Sequence, residues 1–153
     1  MARMEDLPTG TREAVAGLSC ARFADTPWVG AAPLAGRTIA ILTSAALHPR
    51  QQPPFAPGST EVRELRTDLP QADIVMSHIS INYDRFGFAR DINVAYPIDR
   101  LRELAAEGVS GRAAPVHFSV MGSTDPATMG ATVETIAGRC RQLGIDAVLL
   151  CPV

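Results

Sequence analysis

Apolar residues along this chain fall into short runs with two spacings, continuous or alternating blocks of four to seven residues and stripes that return every three or four. The blocks predict strands and the stripes predict helices. A β-branched and aliphatic run over 38–43, inside "RTIAILTSAAL", predicts a buried central strand. "TEVREL" (60–65) alternates and predicts a weaker strand toward an edge, whereas "DIVMSHI" (73–79) predicts a further inner strand. A fourth strand is expected over 114–122, "APVHFSVMG". The uninterrupted run 147–151 in "GIDAVLLCPV" reads as a strand buried on both faces. Helical stripes occupy 97–108, with Ile98, Leu101, Leu104 and Ala105 on one side. They recur after Asp125 and Pro126 as Met129, Val133, Ile136, Cys140 and Leu143 before Gly144. Between these blocks, "HPRQQPPFAPGS" (48–59) is expected to be a loop because its four prolines remove donors and fix φ. The stretch 80–97 keeps neither period, and loops of such length usually carry function.

Strands alternating with helices and loops predict an α/β fold, a three-layer sandwich around a mostly parallel sheet of about five strands. Residues 36–153 form this domain, and 1–35, with a short helix over 12–18 and the Pro- and Gly-rich "ADTPWVGAAPLAG", form a lead-in segment. Ligands of open parallel sheets bind beyond the carboxyl ends of the strands. The unusual residues of this chain cluster after predicted strand ends: "HPRQQPPF", "SHISINYDR" and "MGSTDP".

Composition narrows the function. The net charge of −2 gives no field to gather nucleic acid or an anionic membrane, and no run reaches the ~18 apolar residues of a membrane span. A cytoplasmic protein is expected, with neither partner. All 14 basic residues are arginine, which carries no functional weight here. Three cysteines without C-x-x-C spacing, Cys20, Cys140 and Cys151, argue against a disulfide framework or zinc knuckle. Cys140 on an apolar stripe and Cys151 in a buried strand should have thiols that burial pushes up, so neither is expected to be a nucleophile.

Three histidines are candidates for chemistry. His48, His78 and His117 lack any short ligand spacing, so no metal site is expected. His117 in mid-strand reads as a packed core residue, while His78 at a strand's end is placed to donate a proton or hold a substrate. The cluster Asn82, Tyr83, Asp84, Arg85, Arg90, Asp91 and Asn93 could bind a small zwitterion, Arg to carboxylate and Asp to amine. It could equally be an internal network that pins a long loop, which composition alone favours. Met121, Gly122 and Ser123 precede a helix start that could meet an anion. An ordinary strand-to-helix turn accounts for them as well.

Taken together, "HPRQQPPF" (48–55), "MSHISINYDRFGFARDINVAYPIDRLRELAAEG" (76–108), "HFSVMGS" (117–123) and "GIDAVLLCPV" (144–153) resemble the selenoprotein B family of glycine, sarcosine, betaine and D-proline reductases, closest to the D-proline reductase type. The resemblance covers roughly 38–153. It implies reductive cleavage of a carbon–nitrogen bond in an amino acid or N-methyl amino acid. It also implies a redox selenocysteine or cysteine directly after a strand like "VLLCPV", so the α/β domain is expected to be incomplete at its C-terminus, cut before that residue. No catalytic residue and no cofactor would then lie within the chain, and it would be inactive alone. The resemblance places His48, His78, Asp84, Asp91, Asn93 and Met121–Ser123 around an amino-acid-like substrate. Tyr83 and Arg85 join them from the zwitterion reading, and the resemblance tilts the cluster toward that role. Expected partners are the small-molecule substrate and either a second copy or a reductase subunit. A non-catalytic domain binding an amino acid or carboxylate, or an oligomeric interaction module, is the alternative.

Overall fold

The computed structural model describes residues 3–18, 24, 28–30, 32–80 and 85–153. Among the described residues of the first 35 it forms one α-helix, α1 (Thr9–Ala16), with no buried residue. The run after Arg37 forms β1 (Ile39–Thr43), and the chain then makes β2 (Leu47–Pro49), β3 (Arg63–Arg66) and β4 (Ile74–Met76). Two helices follow, α2 (Arg85–Arg90) and α3 (Ile98–Ala106), then β5 (Val116–Ser119), α4 (Gly130–Leu143) and β6 (Ala147–Cys151).

Among the described residues the main sheet has four strands in the order β3-β5-β1-β6. β5, β1 and β6 run parallel, and β3 is antiparallel at one edge. The fold is α/β, with layers on both faces of this sheet. On one face α4 buries Ile136 and Cys140 against Ala40, Val116 and Phe118. On the other, Ile98 and Leu101 of α3, with Ile92, Ala95 and Tyr96, cover Ile39, Ile41 and Leu65. Pro97 caps α3, Asp99 places a carboxylate in its first turn, and Ile98 and Leu101 point inward one turn apart. α4 stops where Gly144 takes the left-handed conformation (φ 61°) that a side chain would resist, with the Ile145 N–H bonded to the Cys140 carbonyl at 2.9 Å.

Several expectations change. The segment 73–79 is no inner strand of the main sheet: β4 pairs antiparallel with β2, in a two-stranded ribbon built from residues read as the start of a proline loop. The proline sits at the end of β2, where losing a donor does least harm, and the ribbon is held over β5 by the Leu47 N–H donating to Ser119 Oγ at 2.7 Å. The main sheet therefore has four strands instead of about five. The 80–97 stretch contains α2 and a 3-10 turn, Ile92–Val94, capped by the Asp91 carboxylate. Asp125 caps a separate 3-10 turn, Pro126–Thr128, and the longer helix starts at Gly130, which leaves Val133 exposed instead of on the buried stripe. The largest change is β6. Its apolar run lies at the open edge of the sheet, with Val148, Leu149 and Leu150 exposed. A continuous apolar run reports what a strand can bury, and the number of neighbouring strands decides what it does bury.

Candidate functional site

The parallel strands β1, β5 and β6 end on one rim, and the turn after β1 joins the segments there. The Ser44 N–H donates to the Cys151 carbonyl at 3.2 Å and the Ala46 N–H to that of Val120 at 3.0 Å. Gly122 N–H reaches the Ser44 carbonyl at 2.9 Å, and Ser77 N–H reaches that of Ala46 at 3.0 Å. Ser44 Oγ accepts from the Val153 N–H at 2.9 Å. Three residues, Ser44–Ala46, thus stitch together the ends of three strands and the segment after β4. Ala46 does so with φ 52°, left-handed backbone that a non-glycine residue adopts at a cost, and it is fully buried.

His78 and the Met121–Ser123 turn meet on this rim. Gly122 lies so close to its neighbours that a Cβ there would stand 2.7 Å from the Ser44 carbonyl oxygen and 3.0 Å from His78 Nε2. Only glycine lets the turn approach the imidazole so closely. Met121 is buried with Ala46 and Phe55, whereas Gly122 and Ser123 are exposed at the surface of the turn. His78 is itself buried, and its Nδ1 accepts from the Ser80 N–H at 3.2 Å. Burial, and secondarily the Arg85 guanidinium, hold its pKa below the usual histidine value. Arg85 donates to the His78 carbonyl and, at 3.1 Å, to that of Ser80, so it braces the segment carrying His78.

The other candidates lie elsewhere or are turned inward. His48 is buried, with its ring edge-on to Phe55 at 6.3 Å between centroids. Its Nδ1 lies 2.9 Å from the Pro49 carbonyl, to which it donates. Phe55 is drawn beneath the rim by its N–H bond to Ser77 Oγ at 3.0 Å. Asp91 and Asn93 belong to an internal network: Asp91 Oδ1 accepts from the Asn93 backbone and side chain at 2.9 and 2.8 Å. Asn93 in turn bonds Asp99 through both its amide nitrogen, at 3.0 Å, and its oxygen, which accepts the Asp99 N–H at 2.9 Å. Gln71 and Arg102 close the network on Asp99 at 2.7 and 3.1 Å. The bonds from Asn93 hold the Asp91 carboxyl below the usual carboxylate range, and Asn93, Gln71 and Arg102 do the same for Asp99. Gln71 precedes β4 and His78 follows it, so this network gathers at the entry to β4 and the histidine at its exit. Tyr83, Asp84 and Asn82 lie outside the described residues.

His117 is a packed core residue. It is fully inaccessible, its Nδ1 accepts from the Ile41 N–H at 2.9 Å, and its ring meets Tyr96 edge-on at 5.4 Å. Burial, then the Arg102 charge, lower its pKa to about 4. Burial also raises the thiols of Cys140 and Cys151, while Cys20 falls outside the described residues. Among the described residues no three His, Cys, Asp or Glu side chains gather in a metal-binding arrangement, and no helix is long and apolar enough to cross a membrane. Ser44, Ala46 and Ser77 are the rim residues that sequence reasoning did not single out. The run of small residues "TSAA" directly after a strand was the available signal, whereas the positive φ falls on an alanine and leaves no mark in the sequence.

Most of this chain has a named counterpart. Over 116 residues, 74% of this chain and 47% of the other, it is 33% identical to D-proline reductase subunit gamma of Acetoanaerobium sticklandii. The chain is similar to a reductase subunit. It spans about half the length of that relative. No family model and no solved structure matches it.

Proposed function

We propose that this chain is the substrate-side part of a selenoprotein B type reductase subunit, one that cleaves a carbon–nitrogen bond of an amino acid or N-methyl amino acid reductively. The observation carrying the proposal is the similarity to D-proline reductase subunit gamma, supported by the meeting of His78 with the Gly122 turn on the rim where parallel sheets bind ligands. Breaking such a bond leaves the nitrogen in need of a proton. His78 is the group proposed to meet that need: its lowered pKa makes the imidazolium a stronger acid than usual, and its neutral form able to hold the substrate's ammonium. Arg85 and the exposed Ser123 would position the carboxylate. The two electrons would come from a selenocysteine or cysteine borne next to the rim, which this reading puts after Val153.

Two experiments test the reading. Titrating the chain with D-proline, sarcosine, betaine and glycine while following the His78 imidazole resonances should shift them with one of the four, and the shift should vanish in Ser123→Ala or weaken in Arg85→Ala. Silence with all four ligands sinks the substrate assignment. The codons after Val153 test the redox part: an in-frame UGA followed by a nearby cysteine codon supports it, and an unrelated frame overturns it. Tight binding of one ligand combined with an unrelated frame would favour the non-catalytic binding domain.

A further inference from the structure

Among the described residues β6 is an unguarded edge. Edge strands of soluble proteins usually carry a charge, a proline or a bulge that discourages further pairing. Ala147–Cys151 has none of these, and Val148, Leu149 and Leu150 are 38%, 42% and 66% exposed. Beside it runs an apolar groove of about 360 Å³ whose walls are Val133, Ile136, Ala137 and Cys140 of α4 and whose floor is Leu42, Val148 and Leu150.

We propose that this edge is the seam of a homodimer in which β6 pairs antiparallel with β6 of a second copy, making one continuous sheet. The strand is self-complementary. A twofold axis normal to the sheet at Leu149 sets Leu149 opposite its own copy, Val148 opposite Leu150 and Ala147 opposite Cys151, all apolar pairs. An axis normal to the sheet also keeps both α4 helices on the same face, so each groove opens toward the other and Val148 and Leu150 of both copies floor one common trough.

The helix agrees with the strand about where that axis lies. The groove is lined by helix residues centred between Ile136 and Ala137 and by strand residues centred on Leu149, so one axis passes through the middle of both. On the outward flank of α4, Glu134 and Arg141 stand seven residues apart about a point between Ala137 and Gly138, one residue beyond the groove's centre. Both are exposed, and neither forms an ion pair among the described residues, whereas Arg139, on the opposite flank, is engaged with Glu64 of β3 at 2.6 Å. The twofold brings Glu134 of each copy to the Arg141 end of its partner. Charge and groove thus match under a single operation to within about one helical residue, ~1.5 Å, and the occupant that satisfies both is a second copy of this chain. The seam is tested at residues that the reductase reading does not use, because the rim with His78 lies at the strand ends and not along the seam; in a longer subunit, a segment following Val153 is the competing occupant of this edge.

Sedimentation velocity of the full chain over a dilution series tests it. The wild type should dimerise, and Leu150→Lys, at an already exposed position, should weaken self-association about tenfold or more with an unchanged circular dichroism spectrum. Glu134→Arg should weaken it by placing like charges together, as should Arg141→Glu, and the double exchange E134R/R141E should restore it. Restoration by the exchange identifies this seam. A wild type that stays monomeric at its highest soluble concentration overturns the proposal, as does a dimer indifferent to Leu150→Lys or one that the charge exchange does not restore.

Discussion

β5 and β6 lie on either side of β1, and their composition is the reverse of their burial. β5 reads Val-His-Phe-Ser and every residue is buried, while β6 reads Ala-Val-Leu-Leu-Cys and its three central residues are exposed. β5 has β3 and β1 as neighbours and a layer on each face, which leaves no route to solvent. Its two polar side chains are tolerated because each replaces water with a protein partner, His117 Nδ1 taking the Ile41 N–H and Ser119 Oγ that of Leu47. β6 has β1 alone. The difference shows that hydrophobicity sets what a strand gains from a neighbour, and topology sets how many neighbours it has.

The comparison breaks first under truncation. Phe118→Ala removes a side chain that is 1% exposed from between Ile136 and the sheet and should cost about 3–5 kcal/mol by urea denaturation. Leu150→Ala, measured on dilute monomer, should cost less than about 1 kcal/mol because its side chain is already mostly in water. Equal losses would mean that β6 is covered in the protein as it exists in solution.

Protonation probes the same contrast from the polar side. His117 has a folded pKa of about 4, below its ordinary 6.5, so below that ordinary value the unfolded chain binds a proton that the native state refuses. Stability should therefore be intact above pH ~6.5 and fall as pH drops toward ~4, by about 3 kcal/mol from this residue at the lower end. His78, lowered for the same chief reason of burial, adds in the same direction. His117→Gln should flatten most of the acid slope, and urea midpoints taken across that pH range check the sign. No comparable slope should come from β6, which holds no polar side chain.

Much of the architecture is written in the sequence, and what is missing has identifiable causes. The run at 38–43 and the stripes of α3 and α4 specify their elements directly, because burial on one side or both leaves a period. The position of β6 could not be read, since the apolar pattern of an edge strand awaiting a partner equals that of an inner strand. The β2–β4 ribbon was hidden by a proline-rich stretch whose first two residues, His48 and Pro49, pair with β4. In the site, His78 and Met121–Ser123 were legible as residues following strand ends, and they do meet. Asp91 and Asn93 were equally conspicuous, but their bonds run to Asp99 and each other, a distinction that needs distances. Ser44 and Ala46, the hub of the rim, have no polar spacing or glycine to advertise them.

The rim where β1, β5 and β6 end carries two smaller tests of how tightly their termini are held. Gly122→Ala must push a methyl against the Ser44 carbonyl at 2.7 Å, a backbone atom that cannot rotate away. A loss of about 1–3 kcal/mol is expected, together with a displaced His78 resonance. If stability is unchanged, the turn is looser than its hydrogen bonds imply.

Ala46→Gly should have the smallest effect, and its sign is decided by three opposing quantities. Relieving left-handed backbone returns about 1 kcal/mol. Losing a buried methyl packed with Met121 and Phe55 forfeits about 0.8 kcal/mol, and the freer unfolded chain forfeits roughly another 0.5. The net should lie within about 0.5 kcal/mol of wild type, by urea denaturation. Ala46→Val, with a branched side chain at the same φ in a fully buried place, should by contrast lose at least about 1–3 kcal/mol. A glycine variant more stable than wild type by over about 1 kcal/mol would show that the methyl does not balance the strain, and that the hub between the strand ends is held at a real cost in stability. That cost would be expected of a turn retained for what it positions, namely His78 and the Gly122 turn beside it.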